Sequence, residues 1–214
     1  MLCGVVLSAG DSSRMGSPKA LLPDPDGVPF IVRIVSSMRK AGLSDLVVVT
    51  GKHHDAIVEV LAQSPELDGA LVVRNPDPAR GQLSSLWTAM DACPRDTEAV
   101  VMTLVDVPML APSTIALVVE TWRRTRAPIV RPAFGTRRGH PVVFDRAVFD
   151  ELRKAPAELG ARAVVSAHYE DVVNVPVEDP GCVVDIDTPD EYRRAMQPDQ
   201  DLSLIHISEP TRRS

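Results

Sequence analysis

Three short runs, Leu2–Ser8, Leu46–Thr50 and Ala99–Leu104, are apolar at nearly every position instead of at every second one. A strand with one wet face alternates apolar and polar residues, so runs of this kind belong to strands covered on both faces. Between them lie segments of helical period. Ile31, Ile34, Val35 and Met38 follow a Pro-rich loop at 22–29, with Gly42 where a helix would end, and further helices are expected at 55–63, 83–92 and about 113–124. Ala70–Arg74 reads as another strand. Parallel strands need crossovers, usually helices, and the alternation therefore predicts a three-layer α/β domain with a mostly parallel central sheet.

Beyond residue 127 the pattern loosens. Pro128–Ala133 and Pro141–Phe144 read as two strands around a turn at 135–139, with helical segments near 145–155 and 159–168. Thr188, Pro189 and Glu191 mark a final helix start: threonine caps, proline takes the first helical position and glutamate completes a capping box. That helix is expected to run to about Gln197. Residues 1–197 thus form one predicted domain. The tail at 198–214 ends in a stretch without a periodic apolar face that resembles translated adapter read-through, and it is left out of the fold.

Charge and composition exclude several classes. Of 214 residues 44% are hydrophobic, enough for a real core, and the net charge of −6 comes with no long basic run to track a nucleic-acid polymer. No apolar run approaches the ~20 residues needed to cross a bilayer, and no basic segment leads into a signal-type stretch, so the cytoplasm is the expected location. Cys3, Cys93 and Cys182 are scattered and odd in number, which argues against a disulfide framework or a thiolate metal site. His53 and His54 are adjacent, so a helix would point them in different directions, and they read as helix-start surface residues.

Chemistry concentrates in three segments and a further pair. The first, LSAGDSSRMGSPK, runs from Leu7 to Lys19 directly after a buried strand. Small residues such as Ala9 and Gly10 let backbone N–H groups approach phosphate oxygens, while Arg14 and Lys19 can neutralise charge on a phosphate; a flexible turn with solvated charges is the plain alternative. Its spacing is not that of a Walker loop, and the dinucleotide Gly-x-Gly-x-x-Gly fingerprint is missing. The second segment, TLVDVP, places Asp106 after the expected central strand, where it could hold a hard cation or simply start a turn. The third, DIDTP, sets Asp185 and Asp187 before the capped helix; strand alternation points them the same way, and compensation of the helix dipole is their ordinary role. The pair comprises GQLSSL from Gly81 and RRGHP from Arg137.

The first loop resembles the signature of the nucleotidyltransferases that include the molybdenum cofactor cytidylyl- and guanylyltransferases, through Leu7, Ser8, Ala9, Gly10, Ser12, Arg14, Met15, Gly16 and Lys19. The resemblance extends over about residues 2–197 through VDVP and DIDTPDEY. It implies a Rossmann-like nucleotidyltransferase fold and a catalytic set of Arg14, Lys19 and Asp106. It further implies a nucleotide site at Leu7, Ser8, Ala9, Gly10, Ser12, Arg14, Lys19, Gly81, Ser84 and Ser85, and an acceptor site at Arg138 and His140. Mg²⁺ would be held by Asp106 with one of Asp185 and Asp187, Asp185 being favoured. In such enzymes alanine before the loop glycine accompanies CTP and glycine accompanies GTP, so Ala9 points to CTP. The implied acceptor is the molybdopterin form of the molybdenum cofactor, with a molybdenum hydroxylase apoenzyme as a partner for the product. A GTP-dependent enzyme, a cytidylyltransferase for sugar or polyol phosphates, and a non-catalytic cofactor carrier are the competing readings.

Overall fold

The computed structural model describes residues 1–64 and 68–196. The expected tail at 198–214 and the last residue expected for the final helix, Gln197, lie outside them. Eight strands form one sheet: β1 (Leu2–Ser8), β2 (Asp45–Thr50), β3 (Leu71–Arg74), β4 (Ala99–Leu104), β5 (Ile129–Phe134), β6 (Arg137–Arg138), β7 (Val142–Asp145) and β8 (Val172–Pro176). Their order is β3-β2-β1-β4-β7-β5-β6, with β8 along the other edge of β5. The first four strands are mutually parallel, and β5 pairs β8 in parallel. Only β6 and β7 run against their neighbours.

The helices are α1 (Phe30–Lys40), α2 (His54–Ala62), α3 (Gln82–Ala92), α4 (Pro112–Thr125), α5 (Phe149–Lys154), α6 (Arg162–Ala167) and α7 (Pro189–Ala195). Side chains alternate across a strand, and the two cores divide accordingly. Val6, Val48, Val101, Val130 and Val143 pack under α1, α2 and α4 with Ile34, Met38, Ile57, Val118 and Trp122. Cys3, Val5, Leu7, Val47, Val49, Val100 and Met102 pack on the opposite face under α3, α5 and α6 with Leu83, Leu86, Leu152 and Val164. Both faces are dry, which is why the runs in β1, β2 and β4 are continuous. Two of the cysteines, Cys3 and Cys182, are buried as small core residues, and Cys93 is half-buried.

Local signals act as expected at several boundaries. Gly42 follows α1 at φ +88°, a left-handed conformation that costs glycine least. Thr188 and Glu191 form the capping box of α7. Trp122 is pinned through its indole N–H, which donates to Asp145 Oδ2 at 3.0 Å, tying α4 to the end of β7. His54 opens α2 with Nδ1 2.7 Å from the Thr50 hydroxyl.

The second half departs from the pattern in three ways. Phe134 and Arg137 flank a tight β5–β6 hairpin, so the turn is shorter than 135–139. The segment at 145–155 divides into a 3-10 turn (Arg146–Val148) and α5, and the segment at 159–168 shrinks to α6. Strand β8 is short and carries Asn174 and a terminal Pro176, both poor strand formers, and pairing with β5 supplies what local propensity does not.

Close backbone approaches lock this half to the acidic segment. The His140 N–H donates to the Cys182 carbonyl at 2.8 Å, and a Cβ on Gly139 would lie 2.1 Å from that same oxygen. A methyl there meets the Cys182 carbonyl and the Val183 side chain, and the backbone clash cannot be relieved by a rotamer change. Gly139→Ala is expected to destabilise the domain by roughly 2–4 kcal/mol, read as a lower urea midpoint at unchanged m-value.

Candidate active site

The first loop leaves the carboxyl end of β1 and folds back on itself. Ser12 sits at φ +51°, its hydroxyl accepts the Lys19 backbone N–H at 3.1 Å, and its carbonyl accepts the Met15 N–H at 3.0 Å. Leu7, Ser8 and Ala9 are buried, whereas Gly10 is exposed with open space around its Cα. A Cβ on Gly51 would come within 2.6 Å of the Ala9 carbonyl, so glycine at the end of β2 lets the loop pass. Ser12 thus shapes the loop as well as bordering the cavity beside it.

Lys19 joins three distant parts of the chain. Its ammonium is hydrogen-bonded to Asp187 and lies 3.7 Å from Asp106 Oδ2. Arg14 reaches the same Asp187 carboxylate at 2.9 Å. The backbone holds the two acidic segments together, because the Ile186 N–H donates to the Asp106 carbonyl at 2.8 Å while the Ile186 side chain is fully buried. Asp185 and Asp187, on either side of Ile186, therefore stay at the surface.

The three carboxylates differ. Hydrogen bonding from Lys19 holds Asp187 below the usual carboxylate range. Burial pushes Asp106 up to about 6 against the pull of Lys19, with repulsion from Asp185 and Asp187 adding to the rise. Asp185 is also raised, first by burial and then by Asp187. Asp106 Oδ1 is buried without a hydrogen-bond partner. An orphaned carboxylate oxygen beside a second raised carboxylate is a donor set that fits a hard divalent cation, which takes one or two protein carboxylates and fills its remaining positions with phosphate and water. Asp187 is drawn instead to Lys19 and Arg14. Among the described residues no group of three or more His, Cys, Asp or Glu side chains could hold a metal.

Two cavities meet at Asp106. One, about 290 Å³, is lined by Leu7, Ser8, Ala9, Gly10, Ser12 and Lys19 of the loop and by His53, Gly81, Gln82 and Ser85, whereas Arg14 lines neither cavity. The other, about 840 Å³, shares Gly81, Gln82, Leu104 and Asp106 with it and extends to Arg80, Arg131, Arg137, Arg138, His140 and Arg162. Ser84 is a correction: its hydroxyl donates to the Gly81 carbonyl at 2.8 Å and accepts from Asn75 Nδ2 at 2.9 Å. It fastens the start of α3 and lines neither cavity. Ser85 also accepts from Asn75 but does face the smaller cavity.

His140 lines the larger cavity beside Arg138. Burial lowers its pKa to about 4, which keeps the imidazole neutral near pH 7. Its Nδ1 is buried and unpartnered, and it can offer only a neutral hydrogen bond. Gln82 and Arg137 line the cleft from the GQLSSL and RRGHP segments without having been given a role, and His53, Arg80, Arg131 and Arg162 line it from outside the segments singled out. Arg80 and Gln82 flank the glycine of the GQLSSL segment, while Arg131 in β5 has no local signal at all.

Two outcomes follow from these environments. The Asp106 carboxyl rises from 3.8 to about 6, so the unfolded chain ionises first and stability is lost as pH rises through that window. Asp106→Asn is therefore expected to stabilise the metal-free protein at pH 7 by about 1–3 kcal/mol, read by thermal melting, while removing activity. For His140 the unfolded ring protonates near 6.5 and the folded ring only near 4, so stability falls as pH drops through that interval. His140→Gln should flatten this acid loss, measured as the urea midpoint between pH 7 and 4.5.

Residues 4–172 match the family described as the MobA-like NTP transferase domain. The molybdenum cofactor cytidylyltransferase of Escherichia coli K12 is 27% identical over 195 residues, covering 90% of this chain and 94% of that protein. A probable molybdenum cofactor guanylyltransferase of Rhodopirellula baltica is 32% identical over 131 residues, covering 60% of this chain and 59% of that protein. Among solved structures, Rv0371c of Mycobacterium tuberculosis in complex with manganese is 31% identical, with a TM-score of 0.73 over 91% of this chain and 97% of its own. Family match, sheet topology and the Lys19–Asp106 cleft agree, and the chain belongs to the MobA-like NTP transferase family, a family of nucleotidyltransferases.

Proposed function

We propose that this nucleotidyltransferase moves CMP from CTP onto the terminal phosphate of molybdenum-bearing molybdopterin and releases pyrophosphate. The observation that carries the reading is the continuous cleft through Asp106. A cationic, small-residue loop borders one side, as a triphosphate requires, and an arginine-lined chamber borders the other, as an anionic acceptor requires.

Nucleotidyl transfer is mainly a matter of positioning and charge: the acceptor phosphate attacks the α-phosphorus in line, the bond to pyrophosphate breaks, and no protein nucleophile intervenes. Lys19 and Arg14 would exchange Asp187 for triphosphate oxygens and stabilise the charge that develops during attack. Open space around the Gly10 Cα leaves room for the loop backbone to approach the nucleotide. Asp106 and Asp185 would hold Mg²⁺. When bound, Mg²⁺ supplies Lewis-acid charge neutralisation to the phosphates. A related structure carries manganese, which supports the use of a divalent ion.

The donor base rests on Ala9, which is buried and lines the nucleotide cavity. The E. coli relative, named as a cytidylyltransferase, matches nearly the whole chain and supports CTP. The R. baltica relative, named as a probable guanylyltransferase, makes GTP the reading to test against it.

Purified protein supplied with Mg²⁺, molybdenum-loaded molybdopterin and CTP should release pyrophosphate and yield a product heavier by one CMP. GTP should be turned over at least about tenfold less efficiently. Lys19→Ala should lower kcat/KM for CTP by roughly 10²–10³-fold, the usual cost of removing one charge-stabilising group. Equal use of both nucleotides would remove the CTP assignment, and cofactor binding with no pyrophosphate release would favour a carrier.

A further inference from the structure

We infer that Asp179 is a positioning residue for the divalent-cation site, holding the segment that bears Asp185 beside the loop that bears Asp106. This role rests on the reading of those two carboxylates as the cation's ligands and adds the residue that sets their separation.

Asp179 stands six residues before Asp185 and lines neither of the cavities that meet at Asp106. Its carboxylate is nevertheless engaged on both oxygens. Oδ2 accepts the Ala111 N–H at 3.0 Å and the Thr114 hydroxyl at 2.7 Å, while Oδ1 accepts the Gly181 N–H at 2.9 Å. Ala111 and Thr114 belong to the start of α4, which follows directly on the Asp106 loop. That helix has no side-chain cap of its own, because alanine occupies the cap position. A local serine or aspartate would cap the helix equally well. An aspartate 65 and 68 residues away from its partners does more, since it couples the helix start to whatever follows residue 179. Its negative charge also suits the positive end of a 14-residue helix.

The backbone between Asp179 and Asp185 has little slack. A Cβ on Gly181 would lie 2.2 Å from the Met109 carbonyl, so the 3-10 turn at Pro180–Val183 lies directly against the loop after Asp106. The Cys182 carbonyl accepts the His140 N–H at 2.8 Å, and the Val183 carbonyl accepts from the Arg137 guanidinium. Those two bonds fasten the segment to the β6–β7 turn and not to the Asp106 loop. Among the described residues, the direct polar ties between 106–114 and 179–187 are made by Asp179 at one end and by the Ile186 N–H on the Asp106 carbonyl at the other. Asp185 lies between these two anchors. A small hard cation tolerates little variation about its ~2.1 Å ligand distances, so loosening the Asp179 anchor costs affinity even though Asp179 touches no ligand.

The test uses the full chain and Mn²⁺, whose sharp paramagnetic resonance signal in solution is lost on binding. Asp179→Asn leaves one accepting oxygen where the carboxylate serves two sides. Its Mn²⁺ dissociation constant should rise about 10–100-fold, the range for losing an outer partner that orients a metal ligand. Thr114→Val removes one of the three bonds and should give a smaller rise in the same direction. Trp122→Phe breaks the bond to Asp145 near the other end of α4 and controls for stability: it should lower the melting temperature with Mn²⁺ affinity unchanged. In the metal-free protein, exchange of the Ile186 amide hydrogen should accelerate at least about tenfold in Asp179→Asn and stay as in wild type in Trp122→Phe. In turnover, Asp179→Asn should need more Mg²⁺ for half-maximal rate while keeping most of kcat at saturating Mg²⁺. Unchanged Ile186 exchange or unchanged Mn²⁺ affinity in Asp179→Asn and Thr114→Val, or an equal loss of affinity in Trp122→Phe, would overturn the inference. No Mn²⁺ binding by the wild type, or equal binding by Asp106→Asn, would remove the cation reading and this role with it. The exchange data, which need no metal, tell that failure from a failure of the Asp179 anchor itself.

Discussion

The Lys19 ammonium between Asp106 and Asp187 is the contact on which the site depends, because it joins residues 19, 106 and 187 at one point of the sheet. Each arrives by a different route. The loop is delivered by the buried strand β1, Asp106 by the central strand β4, and Asp187 by a segment fastened to the Asp106 carbonyl through the Ile186 N–H. If any of the three were displaced, two carboxylates or two cations would face each other without compensation. Partial burial makes that costly, since charges shielded from water interact over a lower effective dielectric.

Charge is then graded along the cleft. Cations stand at the loop end, raised carboxylates at the centre, and arginines at the far end of the larger cavity. This order matches the needs of a transfer reaction, in which two anionic reactants must be brought together against their own repulsion. Asp187 has a distinct place in it. It neutralises Lys19 and Arg14 when no triphosphate is present, whereas Asp106 keeps an oxygen with no partner at all. The DIDTP motif alone does not separate these roles; geometry does, because the neighbours that divide Asp185 from Asp187 come from residues 14, 19 and 106.

Much of the fold could be read locally where burial on both faces left an unbroken apolar record, as in β1, β2 and β4. The capping box of α7 and Gly42 after α1 were legible for the same reason: their chemistry lies within a few residues. Strand β8 was not, since Val172–Pro176 becomes a strand only by pairing with β5. At the site, Lys19, Asp106 and Ala9 were legible through a dense motif. Ser84 was misread because hydroxyls at a helix start look alike in sequence, and only the position of Asn75 shows that this one is turned inward. The neutrality of His140 follows from burial, which sequence spacing does not encode. Arg131 was invisible because its neighbours, Arg138 and Asn174, come from other strands.

The central claim is that one pocket brings the cationic loop and the acidic pair to the same triphosphate. It is tested most directly by a crystal structure with a non-hydrolysable CTP analogue and Mn²⁺, using the anomalous signal to locate the ion. The account predicts manganese on the carboxylates of Asp106 and Asp185, with Lys19 released from Asp187 onto the triphosphate. Manganese bound away from Asp106, or a nucleotide whose phosphates do not approach Lys19, would contradict it.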